Sequence, residues 1–577
     1  MANFSVSPGV TLSEIDNTFL TGQPVQAGAA IIGPAVKGPV EIPTLVTSYA
    51  DYVNRFGDVL ISGSQTYSYL TSISAYNYFQ NGGKSLIVAR VVAGNYSPAT
   101  SSAIINDGNY VTASYVNPAY TGASVFVLET ISEGIIMNSD SPVVSGSYTS
   151  GSKDNLRFEI TNPSTSSGTF NVVIRRGDDR DNNKIILETW NSVNLDPNSS
   201  RFISKVIGDQ LLGYNSTSNQ VDILSGSYPN NSRYVRVKSV DQLTPNYFDN
   251  NGVPKPQFTG SLPLALNGAF GSATGNIIAG ANFYENIAVQ TQGVTGSDYT
   301  NMVNLLSNKD DYQFNVLSTP GLMNEHHTST ISTLITNTQN RGDNLYVVDM
   351  VDYNGTQAEA ITQASTRDTS YAATYWPWVR IIDPGTGKQV HVPASTLIPG
   401  VYAYNDKVSA PWFAPAGVNR GGLSSVLAAK SKLSQADRDA LYVANINPIA
   451  TFPKTGVSVF GNKTLQKGAS ALDRINVRRL MIELKAYIAQ IADTLVFEQN
   501  TLTTRNNFLT RVNPYLEAIQ QKQGLYAFRV IMDETNNTPD VIDRNQLVGQ
   551  IYVQPTRTAE FIALDFILEP TGATFPG

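Results

Sequence analysis

Few residue groups in this chain combine the types and spacing that chemistry needs. The segment Asn81-Gly82-Gly83-Lys84-Ser85 carries the Gly-Lys-Ser ending of a phosphate loop. Such a loop needs a glycine five positions before Gly83 and a helix after the serine, so that backbone amides converge on the phosphates. Position 78 is Tyr, and the following Leu86-Ile87-Val88-Ala89-Arg90 is an apolar run typical of a buried strand. The cradle cannot form in that order. Glu325-His326-His327 lacks the i, i+4 histidine spacing of a zinc protease and reads as a solvated loop. His391, beside the turn Asp383–Lys388, reads as a strand residue. The carboxylate pairs Asp178-Asp179 and Asp310-Asp311 are adjacent, and adjacent side chains on a strand or turn diverge. No Gly-x-Ser-x-Gly elbow occurs, and no dinucleotide fingerprint follows a strand. With no cysteine and three histidines, thiol nucleophiles, disulfides and cysteine-held zinc are excluded. The expectation is a protein that is not an enzyme, with no cofactor and no metal. Two Arg-Gly-Asp triplets, at 176–178 and 341–343, read as turns before strands rather than as adhesion motifs.

The elements that would have positioned such groups are nonetheless well defined. The 577 residues allow three or four domains, and a net charge of -7 argues against nucleic acid as a direct partner. Charged residues make up only 15%, beside 44 Gly, 29 Pro and 29 Tyr, a composition suited to a β-rich protein whose surfaces meet other protein. No apolar run of about 18 residues occurs, so no membrane insertion is expected. Met1–Ser5 has no signal-peptide pattern, so synthesis in a cytoplasm is expected.

Ser7-Pro8-Gly9-Val10 and Thr11–Ile15 form a turn and a short alternating strand with no nearby partner. Strands flank the Gly/Pro turn after Ala29–Ile32. Ser48 is placed to cap a helix closed by Gly57, and Thr66 to cap a second helix ending at Gln80. Residues 95–305 are rich in Ser, Thr, Asn and Gly, with strands at Ser124–Thr130, Thr169–Ile174, Ile185–Trp190 and Arg233–Val240. From Tyr312 the pattern returns to alternating strand and helix. The aromatic run Tyr371–Val379 leads into a hairpin over Asp383–Lys388, and core packing outweighs a sugar or base platform there.

The longest helical pattern places Val477, Leu480, Met481, Leu484, Ile488, Ile491 and Leu495 on one face. A second helix, Asn506–Gln523, leads to strands at Leu525–Val530, Gln550–Gln554 and Ala559–Leu568. The phrases Asn476-Val477-Arg478-Arg479-Leu480, Phe528-Arg529-Val530, Ile551-Tyr552-Val553-Gln554-Pro555 and Ala559-Glu560-Phe561-Ile562, in this order, resemble the C-terminal domain of contractile tail sheath proteins of phages and related injection machines. Ser7-Pro8-Gly9-Val10, Phe79 with Asn81-Gly82-Gly83, Thr319-Pro320-Gly321, Tyr371–Tyr404 and Trp412–Gly417 resemble the same family.

The resemblance implies an α+β multidomain fold: a mixed α/β core built from N- and C-terminal parts of the chain, with β-rich insertion domains and extended terminal arms. The expected division is an arm at 1–24, a core at 25–94 and 306–455, an insertion at 95–305, a C-terminal α/β domain at 456–555 and an arm strand at 556–577. The implied function is a structural subunit that polymerises with itself as stacked hexameric rings around a tail tube. Contraction would drive that tube through the host envelope during genome delivery. Partners implied are the tail tube protein and the baseplate and tail terminator proteins, in a virion tail assembled in the host cytoplasm. The strand arms are expected at Val6, Val10, Leu12 and Ile15 and at Phe561, Ile562, Leu564 and Phe566, with Ile551, Tyr552 and Val553 as the acceptor edge. Lys463, Lys467, Arg474, Arg478, Arg479 and Lys485 form a basic excess, read as a tube contact, a solvated helix face or internal ion pairs. The alternative is a β-rich surface or adhesion protein binding a receptor or glycan through 95–305.

Overall fold

The computed structural model describes residues 25–62, 65–105, 123–139, 151–180, 182–275, 282–453 and 456–561. Its centre is one eight-stranded sheet. We label the strands β1 (Val25–Gly33), β2 (Thr44–Val46), β3 (Leu86–Arg90), β4 (Tyr312–Met323), β5 (Leu345–Asp349), β6 (Ala372–Trp376), β7 (Asn447–Phe452) and β8 (Gly456–Val459). Their order across the sheet is β2-β3-β1-β4-β5-β6-β7-β8. The six middle strands run parallel and the two edge strands antiparallel.

The middle strands are apolar without interruption because both faces are covered. Successive residues feed opposite cores. Ala29, Ile31, Leu86, Val88, Leu345 and Val347 enter one, and Ala30, Ile32, Ile87, Ala89, Tyr346 and Val348 enter the other. Helices α1 (Tyr49–Phe56) and α2 (Leu70–Gln80) cover the first face; α3 (Thr328–Arg341) and α4 (Gln357–Ser365) cover the second. Ser48 caps α1 by accepting from Asp51 N at 3.1 Å, and Gly57 closes it at φ 76°. Thr66 does not cap α2. It lies in a short strand, Gln65–Tyr67, and the helix begins at Leu70. Gln292, 222 residues away in sequence, supplies the missing acceptor, its Oε1 taking Leu70 N–H at 2.6 Å.

That contact sits where chain direction across the sheet reverses, between β1 and β4. Doubly wound sheets hold ligands in the crevice at this point. Here the chain itself occupies it. Gln292 bridges Leu70 N and Pro320 O, and the cavity left beside Arg90, Tyr96 and Gln292 is about 20 Å³, room for one water.

The described residues between 98 and 275 fold on a core of their own. A three-stranded sheet (Pro98–Ile104, Ser124–Glu133, Val235–Val240) faces a four-stranded one (Leu156–Ser164, Thr169–Arg176, Ile186–Asn194, Asn267–Ala269) across Phe126, Phe158, Phe170 and Phe270. Two of the expected boundaries fall inside packed units. Phe283, Tyr284, Ile287, Val294, Tyr299 and Met302 belong to the two central cores, so an insertion drawn to 305 takes in a strap of the central unit. A break at 455/456 would split the β7–β8 hairpin, whose residues pair from Ile449–Val459 to Phe452–Gly456.

Candidate assembly site in the C-terminal domain

Two helices and a two-stranded ribbon form the last domain: α5 (Ile475–Asp493), α6 (Leu502–Gln521), β9 (Leu525–Ile531) and β10 (Gln550–Pro555). Leu480, Leu484 and Ile491 of α5 meet Phe508, Val512, Leu516 and Ile519 of α6 in a fourth core, as the 3–4 spacing requires. The ribbon lays one face on it. Phe528 pairs with Val553 and Val530 with Ile551, and all four pack against this core; Tyr526 and Tyr552 on the other face are exposed. Gln523 at φ 63° and Gly524, whose N–H donates to Ile519 O at 2.8 Å, turn the chain from α6 into β9. A Cβ on Gly524 would stand 2.5 Å from Ile519 Cγ2 and 3.1 Å from the Trp412 ring.

Two strands alone make a marginal sheet. Among the described residues, neither outer edge of the β9–β10 ribbon has a strand partner. This is where the acceptor residues Ile551, Tyr552 and Val553 lie. The arm residues Val6, Val10, Leu12, Ile15, Ile562, Leu564 and Phe566 fall outside the described residues. Phe561 is within them, 84% exposed, and 556–561 has no strand pairing, so the described part of the Ala559–Leu568 strand is irregular chain.

The basic group does not form one exposed face. Arg478 and Arg479 are buried, at 4% and 5% exposure, which removes them from any surface contact. Arg478 lies 3.9 Å over the Tyr371 ring and donates to Ser370 Oγ. Arg479 donates to Asp406 at 2.6 Å and lies over Tyr402. Lys463 donates to Tyr442 O at 2.7 Å, Lys467 to Ser365 O at 2.7 Å, and Arg474 pairs with Glu560 and Asp473. Lys485 is exposed, 3.4 Å from Tyr371 Oη. Sequence reasoning missed Asp406, Tyr442 and Glu560 because each partner lies tens of residues away. Only Glu560 sat in a phrase that had drawn attention.

Elsewhere, Glu325, His326 and Asp352 each bring one potential ligand atom within 4.8 Å of the others, a three-donor set that could hold a metal ion. His327 is not on a solvated loop. It is 5% exposed, with Nδ1 accepting from Met323 N and Nε2 donating to Val289 O. Burial is the main cause that lowers its pKa, and the two backbone bonds oppose it. His391 is the strand residue expected and meets Glu285 Oε1 at 2.8 Å. Tyr375, Trp376 and Trp378 of the aromatic run are core residues. No helix among the described residues is long and apolar enough to cross a membrane.

Comparison with known proteins matches the phage tail sheath protein central domain over residues 292–465 and the phage tail sheath C-terminal domain over 468–569. The tail sheath protein of Vibrio phage KVP40 is 41% identical over 220 residues, which are 38% of this chain and 33% of that protein. The tail sheath protein of Enterobacteria phage T4 is 42% identical over 184 residues, 32% of this chain and 28% of that protein. The matched stretch thus spans about a third of each relative's own length. A sheath tail protein from Listeria innocua shares the fold at a TM-score of 0.50 and 10% identity, over 92% of this chain and 96% of that one. The second matched domain contains α5, α6 and the ribbon, whose edges have no strand partner among the described residues. Over residues 292–465 and 468–569 the chain thus carries sequence of the phage tail sheath family, in its central and C-terminal domains.

Proposed function

We propose that this chain is the repeating subunit of a contractile sheath and that it polymerises by strand exchange at the β9–β10 ribbon. The observation that carries the reading is the ribbon itself: two strands, one face seated on α5 and α6, both edges without a strand partner among the described residues. An open edge is normally blunted or covered, because it templates pairing with another chain. Here neighbouring copies would supply the cover. The alternating strand at Val6–Ile15 would add to one edge and the Phe561–Phe566 strand of another copy to the other. Main-chain hydrogen bonds supply the affinity, and alternate side chains the register.

Strand addition joins subunits without fixing the angle between their rigid parts. Rings of six around a tail tube could therefore reorient on contraction while staying linked. Energy would be stored in two packings of the same subunits, with no nucleotide consumed. The plugged crevice at the sheet's switch point supports that division of labour. Baseplate, tube and terminator proteins complete the assembly. Negative-stain microscopy of the full chain, alone and with cognate tube, beside a variant lacking residues 1–20, tests this. Long hollow tubes from the full chain, lost on deletion, are expected. Dispersed particles from both proteins even with tube present would overturn the reading.

A further inference from the structure

The chain leaves β10 at Pro555, and Thr556 N still donates to Gly524 O at 3.2 Å. Four residues later it is tied again. Arg474 at the start of α5 donates from Nε to Glu560 Oε1 at 2.7 Å and from Nη2 to Oε2 at 3.0 Å. Tyr442 Oη donates to the same Oε2 at 2.6 Å. This is a bidentate guanidinium–carboxylate pair with a third donor, a geometry more directional than a single surface ion pair. Its parts are themselves held. Lys463 donates to Tyr442 O and lies 4.4 Å over the Tyr442 ring, Asp473 contacts Arg474 at 3.2 Å, and the backbones of Lys463 and Arg474 are bridged. The Arg474 and Glu560 side chains are 26% and 18% exposed, so water screens the pair only in part. The next residue, Phe561, is 84% exposed.

We propose that Glu560 is the anchor of the C-terminal arm, a positioning residue that Arg474 and Tyr442 hold on the central unit so that the arm departs from one fixed point. The inference rests on the reading of the following residues as an exchanged strand. Without the anchor the arm would start at Thr556. Its origin would then wander over the reach of four extended residues, about 14 Å. That spread lowers the effective concentration of the arm at a neighbour's ribbon edge. The anchor also makes the arm's origin follow α5 and the central sheet, not the ribbon alone.

Arg557 lies exposed inside the doubly tied span and offers a trypsin site. Cleavage of dispersed subunits after Arg557 should speed up about tenfold in Glu560→Gln and in Arg474→Gln. The double variant should be no faster than either single one, and Tyr442→Phe should fall between. Sheath formation by Glu560→Gln should need several-fold more protein. Cleavage at the parental rate in Glu560→Gln overturns the anchor. Faster cleavage with unchanged assembly overturns its positioning role. A variant lacking 562–577 separates the two readings: if it assembles normally, strand exchange at that arm is wrong, whatever the cleavage rates are.

Discussion

Asp349 ends β5 at 4% exposure, with Ser395 donating to both of its oxygens. Burial pushes its carboxyl up to about 7, against those two bonds. An unfolded aspartate titrates near 4, so between about pH 4 and 7 the folded state binds the proton that the unfolded state has released. The stability this group contributes is therefore full below about pH 4 and is lost as pH rises through about 7. Asp349→Asn keeps a group that can meet Ser395 and cannot ionise. Its Tm should exceed the parent's by more at pH 8 than at pH 5, by differential scanning fluorimetry; an equal offset at both pH values would refute the burial argument. At this scale sequence was a poor guide. The strand ending at Asp349 was readable from its apolar run, but Ser395 lies 46 residues away. Likewise the run Arg478-Arg479 looked like surface charge because a linear reading supplies neither Tyr371 nor Asp406.

Among the elements, α5 was the most legible, since its apolar spacing repeats over more than four turns. The structure adds that the helix serves two cores at once. Ile475 and Ile482 enter the central core, while Leu480, Leu484 and Ile491 enter that of the last domain. Arg479 and Asp406 reinforce the junction, as does Trp412, whose Nε1 donates to Lys522 O at 3.0 Å. The two cores should then unfold as one unit. Ile482→Ala and Leu484→Ala, at 3% and 2% exposure, should each cost about 2–5 kcal/mol and displace the same denaturant transition. If only Leu484→Ala moved a separate transition, the shared-helix account would fail. The ribbon strands were equally readable from their period-2 pattern. An edge at Ile551–Val553 was expected only from the family resemblance, because periodicity does not say which strands lie beside one another; among the described residues neither edge of the ribbon has a strand partner. The cap expected from Thr66 failed for a related reason: a residue distant in sequence, Gln292, does the capping.

On the scale of the molecule, the insertion could be recognised from composition, but its limits could not. Small polar residues continue past 275, whereas the packing changes there: Phe283 to Met302 are drawn into the central cores. What joins the insertion to the central unit is largely polar. Lys37 donates to Asp154 O at 3.1 Å, Lys153 pairs with Asp58, and Arg233 approaches Asp51 at 3.4 Å. Arg90 donates to Glu133 O at 3.0 Å. Apolar contact across the seam includes Ile136, Tyr214 and Val221, each only partly buried. The Lys153–Asp58 and Arg233–Asp51 pairs are partly exposed and contribute little, and the buried Lys37–Asp154 pair offsets its own desolvation, so the insertion's stability comes mainly from its own aromatic core. Calorimetry of the whole chain should resolve two transitions. Phe170→Ala removes a fully buried ring stacked 5.7 Å from Phe126 and should cost about 3–5 kcal/mol. For a unit of this size that lowers one transition on the order of 10 °C and leaves the other in place. A single transition shifted as a whole would mean that the polar seam couples the units into one cooperative body. On the proposed function, the subunit would then reorient as one body, insertion included.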